Sequence, residues 1–164
     1  MRGMVQLAGG TQGAVQTLNL MKSLALEGSA DLKIRNQALA LTQRLDQKDF
    51  RGEACACLAF CRDRIRYVRD IYTVETLQMP ARTLESRYGD CDDKAMLLAA
   101  LLASIGHQVR FIAVAFQPGQ FVHVWLQDWV GGAWLDLEPT EPIPCGQRVP
   151  DQAGAEYLTC ELGQ

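Results

Sequence analysis

The stretch Arg87-Tyr88-Gly89-Asp90-Cys91-Asp92-Asp93-Lys94 runs directly into Ala95-Met96-Leu97-Leu98-Ala99-Ala100-Leu101-Leu102. A polar loop ends there, and a helix that is apolar on nearly every face begins. Cys91 lies at the junction, where the positive end of the helix dipole and free backbone N–H groups favour a thiolate over a thiol. These are conditions that a cysteine nucleophile requires.

The carboxylates around Cys91 allow a second interpretation. Asp90, Asp92 and Asp93 suit the N-cap and first turn of a helix, so Cys91 could be no more than a small, half-buried residue at a helix start. Their negative charge also opposes thiolate formation. A reactive thiol at this position therefore requires a nearby cation, for which a histidine is the natural candidate.

The composition excludes several classes of protein. The chain has 164 residues, a net charge of −3, 48% hydrophobic residues and 21% charged residues, which is typical of one soluble domain with its own core. It contains no dense run of basic residues, so nucleic acid is not an expected partner. No segment reaches the roughly 18 consecutive apolar residues of a membrane span.

The six cysteines do not form paired CxxC motifs, so a zinc ribbon is not expected. Reduced thiols in a cytoplasmic protein are the simplest interpretation. Cys91 has no resolving cysteine close to it in the sequence, which argues against a thiol redox protein. The cysteines are Cys55, Cys57, Cys61, Cys91, Cys145 and Cys160.

The periodicity predicts helices first and a sheet afterwards, which is an α+β fold. We expect a flexible leader at 1–12, one domain at 13–142 and a C-terminal tail at 143–164. Within the domain, N-terminal helices occupy 13–66 and the core occupies 67–142. Predicted helices span about 14–27, 31–48, 52–66, 82–87 and 91–105, an extended connection spans 67–80, and predicted strands span about 108–116, 121–129 and 133–138.

The chain has only two histidines, and their surroundings differ. His107 follows Gly106 in a turn between helix and strand and is expected to be exposed. His123 lies in the middle of a strand, where a lone histidine is most often a packed residue. Its position beside a hairpin that carries acids makes it the stronger candidate for a site.

The hairpin geometry selects one of these acids. If Gly131-Gly132 form a two-residue turn, Gln127 opposes Asp136 and the side chains of both strands alternate between the two faces. Glu138 then becomes the diagonal neighbour of His123, at roughly 7–8 Å between backbones. Asp136 lies one residue pair farther along the ladder from His123, and it could take the place of Glu138 only if the strand is bulged. A register slip of one residue would move both acids to the opposite face of the sheet.

Cys91, His123 and Glu138 together supply the nucleophile, the base and the group that orients the base. The backbone N–H of Cys91 at the helix start could donate to an oxyanion. For a second donor we consider Gln78, which lies in the connection before the cysteine loop.

Three blocks of the sequence, which lie within about residues 60–142, resemble the transglutaminase-like superfamily. They are Gly89-Asp90-Cys91-Asp92-Asp93 before an apolar helix, His123-Val124-Trp125, and Trp134 through Glu138-Pro139-Thr140. The resemblance implies a papain-like core, with the cysteine on a central helix that packs on an antiparallel sheet. It also implies Cys91 as nucleophile and His123 as base. Family members commonly have aspartate where this chain has Glu138.

The resemblance implies cysteine-dependent acyl transfer on an amide of a protein or peptide substrate, by hydrolysis or transamidation through a thioester. No cofactor is needed, although Asp90, Asp92 and Asp93 could supply oxygen ligands to calcium, as in some relatives. The alternative is a non-catalytic structural or assembly protein, because compact relatives occur among bacteriophage and prophage proteins. The expected location is cytoplasmic, or virion-associated for a phage-derived protein.

Overall fold

The structure is a computed structural model that describes residues 9–69 and 76–163. Most of the expected leader and residues 70–75 of the expected connection lie outside these ranges. The elements are α1 (Gly10–Ser29), α2 (Leu32–Thr42), α3 (Phe50–Arg64), β1 (Arg66–Tyr67), α4 (Pro80–Ser86), β2 (Tyr88–Gly89), α5 (Cys91–Ser104), β3 (Val109–Gln117), β4 (Gln120–Val130), β5 (Ala133–Leu137) and β6 (Glu156–Glu161).

Helix α5 forms the centre of the molecule. Every residue from 93 to 102 is buried, as expected of a helix that is apolar on all sides. It contacts α1, α2, α3 and α4 as well as strands β3 and β4. The predicted α+β fold, with a cysteine-bearing helix packed on an antiparallel sheet, is confirmed.

The four-stranded sheet has the order β5-β4-β3-β6, and all its neighbouring strands are antiparallel. The β4–β5 hairpin has the predicted register, because Val130 pairs with Ala133 and Gln127 pairs with Asp136. Gly131 and Gly132 both have positive φ, 63° and 86°, which glycine adopts without steric cost. The two-residue turn therefore fixes which side chains share a face.

A buried lysine ties the start of α5 to the end of α3. Lys94 is 2% exposed, and its Nζ donates to the backbone oxygens of Ile65 at 2.9 Å and Arg62 at 3.2 Å. Carbonyls at a helix C-terminus lack partners within the helix. Lys94 satisfies two carbonyls at this end and so fixes the position of the first turn of α5.

The segment 143–164, expected to be a tail, contributes to the sheet. Residues Glu156–Glu161 form the edge strand β6, which pairs with β3. Sequence periodicity did not show this strand because β6 lies at the sheet edge and alternates only between half-buried and exposed positions. The expected boundary at residue 142 is thus corrected by the long-range pairing of β6.

The expectation that all thiols are reduced is also corrected. Cys55 of α3 and Cys145 form a disulfide across 90 residues of sequence, with 5.5 Å between their Cα atoms. Cys57 and Cys61 are free and buried, in agreement with a role as small apolar residues, whereas Cys91 and Cys160 are free and half-buried.

The helix boundaries differ somewhat from those that the periodicity predicted. Helix α1 begins at Gly10, within the expected leader, and Gly10 lies against Gly119 of the β3–β4 turn. Helix α2 is capped by Asp31 as predicted but ends at Thr42 rather than near 48. Within the described ranges, no helix is long and apolar enough to cross a membrane.

Candidate active site

A cavity of about 390 Å³ lies between the start of α5, the N-terminal half of α1 and strand β4. Cys91 and His123 both line it, so the structure brings the predicted nucleophile and base to one solvent-accessible space. Its lining residues are Gly10, Gly13, Ala14, Thr17, Leu18, Met21, Tyr67, Arg69, Asp90, Cys91, Asp92, Ala113, Gly119, Gln120, Phe121, Val122, His123 and Val124.

Cys91 is the first residue of α5, and a capping box holds the helix start. The Asp90 carboxylate accepts from the Asp93 backbone N–H at 3.0 Å, and the Asp93 carboxylate accepts from the Asp90 backbone N–H at 3.4 Å. Two otherwise unpaired donors are satisfied in this way. The thiol is therefore held at a defined point on the cavity wall.

His123 is paired with the acid that the hairpin register selected. Its Nε2 lies 2.7 Å from Glu138 Oε2, and the side chains are 22% and 1% exposed, respectively. The other Glu138 oxygen accepts from the backbone N–H of Thr140 at 2.8 Å and of Glu141 at 3.3 Å. Burial acts to lower the pKa of His123, but the hydrogen bond and charge of Glu138 outweigh it and raise that pKa.

The rival acid, Asp136, is engaged elsewhere on the same face. Its carboxylate accepts from Gln127 Nε2 at 2.6 Å, from the Val149 backbone N–H at 2.9 Å and from Trp125 Nε1 at 3.3 Å. Trp125 in turn stacks on the His123 ring, with centroids 6.1 Å apart. Asp136 thus contacts a neighbour of the imidazole rather than the imidazole itself.

The electrostatic environment of Cys91 favours the neutral thiol. Burial, followed by the charges of Asp92 and Asp90, raises the pKa of Cys91 well above its usual range, and a hydrogen bond from the Val124 backbone acts in the opposite direction. The thiol donates to Asp92 Oδ1 at 3.6 Å. The expected effect of the helix dipole is therefore outweighed by the two carboxylates and by burial.

Gln78, considered as an oxyanion donor, lies outside the residues that line the cavity. Its side-chain Nε2 donates to Asp93 Oδ2 at 2.9 Å, and its backbone N–H donates to Asp93 Oδ1 at 2.8 Å. Gln78 therefore anchors the segment before α4 to the start of α5. The same contacts show that Asp93 is held by protein donors.

Two lining residues, Tyr67 and Arg69, were not singled out in the sequence. Tyr67 belongs to β1, which pairs with β2 immediately before the cysteine loop. Burial and the nearby Cys91 raise the pKa of the Tyr67 hydroxyl, and a hydrogen bond from Arg69 acts to lower it. Both residues lie in the extended connection that the sequence predicts over 67–80 along one side of a cleft, but the two-residue strand is too short for its pairing to be recognised from periodicity.

The described residues contain no group of three or more histidine, cysteine, aspartate or glutamate side chains able to hold a metal ion. The three aspartates at the start of α5 were the candidate ligands for calcium. Two of them, Asp90 and Asp93, form the reciprocal capping box.

Two solved structures are similar to this chain in fold. A "putative cysteine protease" from Cytophaga hutchinsonii superimposes with a TM-score of 0.58 and 18% identity, over 88% of this chain and 52% of that one. A "putative protease" from Parabacteroides distasonis gives a TM-score of 0.61 and 16% identity, over 78% of this chain and 27% of that one. At these identities the likeness concerns the fold.

The chain spans about half the length of the first structure and about a quarter of the second. A comparison with curated proteins found no match. The family model of the transglutaminase-like superfamily matches residues 37–139, a range that contains the cysteine loop, His123 and Glu138. The chain therefore belongs to the transglutaminase-like superfamily.

Proposed function

We propose that this protein catalyses acyl transfer on an amide of a protein or peptide, with Cys91 as nucleophile, His123 as base and Glu138 as the residue that orients His123. The observation that carries this proposal is the 2.7 Å contact between His123 Nε2 and Glu138, in the same cavity as the Cys91 thiol. That contact leaves Nδ1 as the ring nitrogen that can take a proton from the thiol.

The proposed reaction has two stages. The thiol proton moves to His123 Nδ1 while sulfur attacks the amide carbonyl, and the C–N bond then breaks as the leaving amine takes the proton from the imidazolium. Water or a second amine next attacks the thioester, which releases an acid or a new amide and restores the thiol. The backbone N–H of Cys91, one of the unpaired donors of a helix N-terminus, supports the oxyanion in both stages.

A second candidate function is that of a non-catalytic structural or assembly protein. One observation favours this candidate. The Cys91 thiol donates to Asp92, and burial together with the charges of Asp92 and Asp90 raises the pKa of that thiol. A thiol that stays protonated at neutral pH does not act as a nucleophile. This candidate requires a partner that binds the folded chain without turnover.

The test is the rate of Cys91 alkylation by iodoacetamide as a function of pH, in wild type and in His123→Ala. Peptide mass mapping follows Cys91 alone, and the half-buried Cys160 of the same protein is the internal control. We expect a neutral-pH rate that falls roughly 10-fold or more in His123→Ala, with the Cys160 rate unchanged.

A Cys91 rate that does not depend on His123 would contradict the catalytic proposal and favour the assembly role. If the dependence is found, Glu138→Gln and Asp136→Asn show which acid supports the base. We expect the first to slow alkylation and the second to leave the rate within about twofold, since Asp136 does not contact the imidazole.

A further inference from the structure

The candidate site has one backbone donor for an oxyanion, the Cys91 N–H, and a second donor has to come from another part of the cavity wall. Gln78 does not supply it, because it is bound to Asp93 and lies outside the residues that line the cavity. Four lining side chains other than those of Cys91 and His123 carry an N–H or O–H group. They are Thr17, Tyr67, Arg69 and Gln120.

Tyr67 lies beside the cysteine loop because β1 pairs with β2. The parallel register sets Tyr67 opposite Gly89, and the Val68 backbone N–H donates to the Gly89 carbonyl at 3.0 Å. Gly89 precedes Cys91 by two residues, and Tyr67 and Cys91 line the same cavity. The backbone pairing therefore ties Tyr67 to the segment that carries the thiol.

The Tyr67 hydroxyl is close enough to Cys91 for a thiolate there to act on its ionisation. Burial, followed by the charges of Cys91 and Asp90, raises the pKa of Tyr67, while the hydrogen bond and charge of Arg69 act to lower it. With the pKa raised, the phenol keeps its proton at neutral pH. Because the hydroxyl accepts its hydrogen bond from Arg69, its own proton can be donated to another group.

The other three donors have weaker links to the reacting sulfur. Thr17 belongs to α1 and Gln120 is the first residue of β4, so neither belongs to the strand pair that holds the cysteine loop. Arg69 is exposed and hydrogen-bonds to the Tyr67 hydroxyl. Among the four lining donors, Tyr67 is the one whose strand position pairs directly with the loop before Cys91.

We propose that the Tyr67 hydroxyl is the second oxyanion donor of the candidate site and acts in both stages of the reaction. This inference rests on the proposed function of Cys91. As sulfur attacks the carbonyl, the π electrons of the C=O bond move onto oxygen, and the Cys91 N–H and the Tyr67 O–H both donate to that oxygen. The C=O bond forms again when the leaving group departs, so the phenol donates a hydrogen bond and keeps its proton.

The test compares two reactions of Cys91 that differ in their need for an oxyanion. With p-nitrophenyl acetate, the thiol proton passes to His123 as sulfur attacks the ester carbonyl, and p-nitrophenolate leaves as the thioester forms. With iodoacetamide, the same proton transfer accompanies displacement of iodide from a saturated carbon, and no oxyanion forms. Both products at Cys91 are measured by peptide mass mapping after an acid quench. The ratio of the acylation rate to the alkylation rate cancels any change in the thiolate fraction.

The variants are Tyr67→Phe, which removes only the hydroxyl, and, as a matched control, Tyr88→Phe on the paired strand β2. Tyr88 is 39% exposed and is not among the described residues that line the cavity. We expect the acylation-to-alkylation ratio to fall about tenfold or more in Tyr67→Phe, because removal of one oxyanion donor slows acyl transfer by at least that factor. Tyr88→Phe should keep the wild-type ratio.

An equal ratio in wild type and Tyr67→Phe would overturn the inference, and so would an equal fall in both rates, which a merely structural role of Tyr67 would produce. Failure of the proposed function is measured separately, as alkylation and acylation of Cys91 that do not depend on His123. If both reactions require His123 and the ratio is unchanged in Tyr67→Phe, the catalytic proposal stands and the role of Tyr67 is refuted. A Cys91 inert to both reagents refutes both.

Discussion

The two histidines of this chain make similar contacts in opposite surroundings. His123 Nε2 lies 2.7 Å from Glu138, beside an open cavity. His107 is 3% exposed, and its Nδ1 lies 2.6 Å from Asp128 while its Nε2 lies 2.7 Å from Glu53. Both ring nitrogens of His107 are thus occupied by carboxylates, whereas His123 uses one nitrogen for its carboxylate.

The difference teaches that a histidine–carboxylate pair does not by itself indicate a catalytic site. Both ring nitrogens of His107 face carboxylates, and both can donate only in the imidazolium form, so this site favours the protonated ring. Burial acts to lower the pKa of His107, but Asp128 and Glu53 outweigh it and raise that pKa. Among the described residues, only Nε2 of His123 contacts a carboxylate, and the ring shares its cavity with the Cys91 thiol.

The largest effect that we expect from this comparison is on stability. His107→Ala leaves two carboxylates facing each other, and Asp128 is fully buried with no hydrogen bond at Oδ1 from the described residues. Removal of one partner from a buried ion pair costs about 3–5 kcal/mol. Urea denaturation should show that loss, while His123→Ala should cost less than about 2 kcal/mol because its carboxylate keeps two backbone donors. Equal losses of unfolding free energy in His107→Ala and His123→Ala would show that the two histidines do not differ in their contribution to stability.

The second prediction concerns the ionisation of His123. Glu138→Gln removes the negative charge at Nε2 and should lower the pKa of His123, because that charge and its hydrogen bond raise it. Asp136→Asn is the matched control and should leave that pKa nearly unchanged. NMR titration of the imidazole C–H resonances reports both histidines in one experiment, and a larger shift in Asp136→Asn would assign the acid role to Asp136 instead.

The third prediction is a pH dependence of stability from His107. Because its pKa is raised in the folded state, its contribution to stability is complete below the unfolded pKa of about 6.5 and is lost as the pH rises through the folded value. The excess stability of wild type over His107→Gln should therefore decrease as the pH rises above about 6.5, by about 1.4 kcal/mol per unit by which the pKa is raised. An excess that grows with pH would show that His107 is buried neutral.

The smallest effect should come from the aromatic neighbour of His107. Phe50 is 51% exposed and meets the imidazole edge-on, with centroids 5.9 Å apart. Phe50→Leu should cost about 0.5–1 kcal/mol and leave Cys91 alkylation unchanged. A change in the alkylation rate would show that the two histidine sites are coupled.

Local sequence patterns predicted much of the fold and of the candidate site. The switch from helical to two-residue periodicity placed α5 before the strands, and Gly131-Gly132 set the β4–β5 register. Because strand side chains alternate strictly, that register was enough to place Glu138 near His123 and Asp136 opposite Gln127. The cap at Asp90 was likewise visible in the residues next to Cys91.

Other features depended on partners that are distant in the sequence. His107 follows a glycine turn, and only the packing of α3, which supplies Phe50 and Glu53, buries it. The Cys55–Cys145 disulfide and the pairing of β6 with β3 join segments whose spacing carries no periodic signal. The hydrogen bond from the Gln78 side chain to Asp93 likewise joins residues that are distant in the sequence.

The sequence by itself determined the order of elements, the cysteine at the start of a buried helix and the hairpin that places an acid beside a histidine. Each of these follows from backbone periodicity and turn geometry, which act over a few residues. The tertiary structure alone decided that a cavity forms beside His123, that His107 is buried between two carboxylates and which thiols are joined. Burial and charge at those positions are set by elements that meet only when the chain folds.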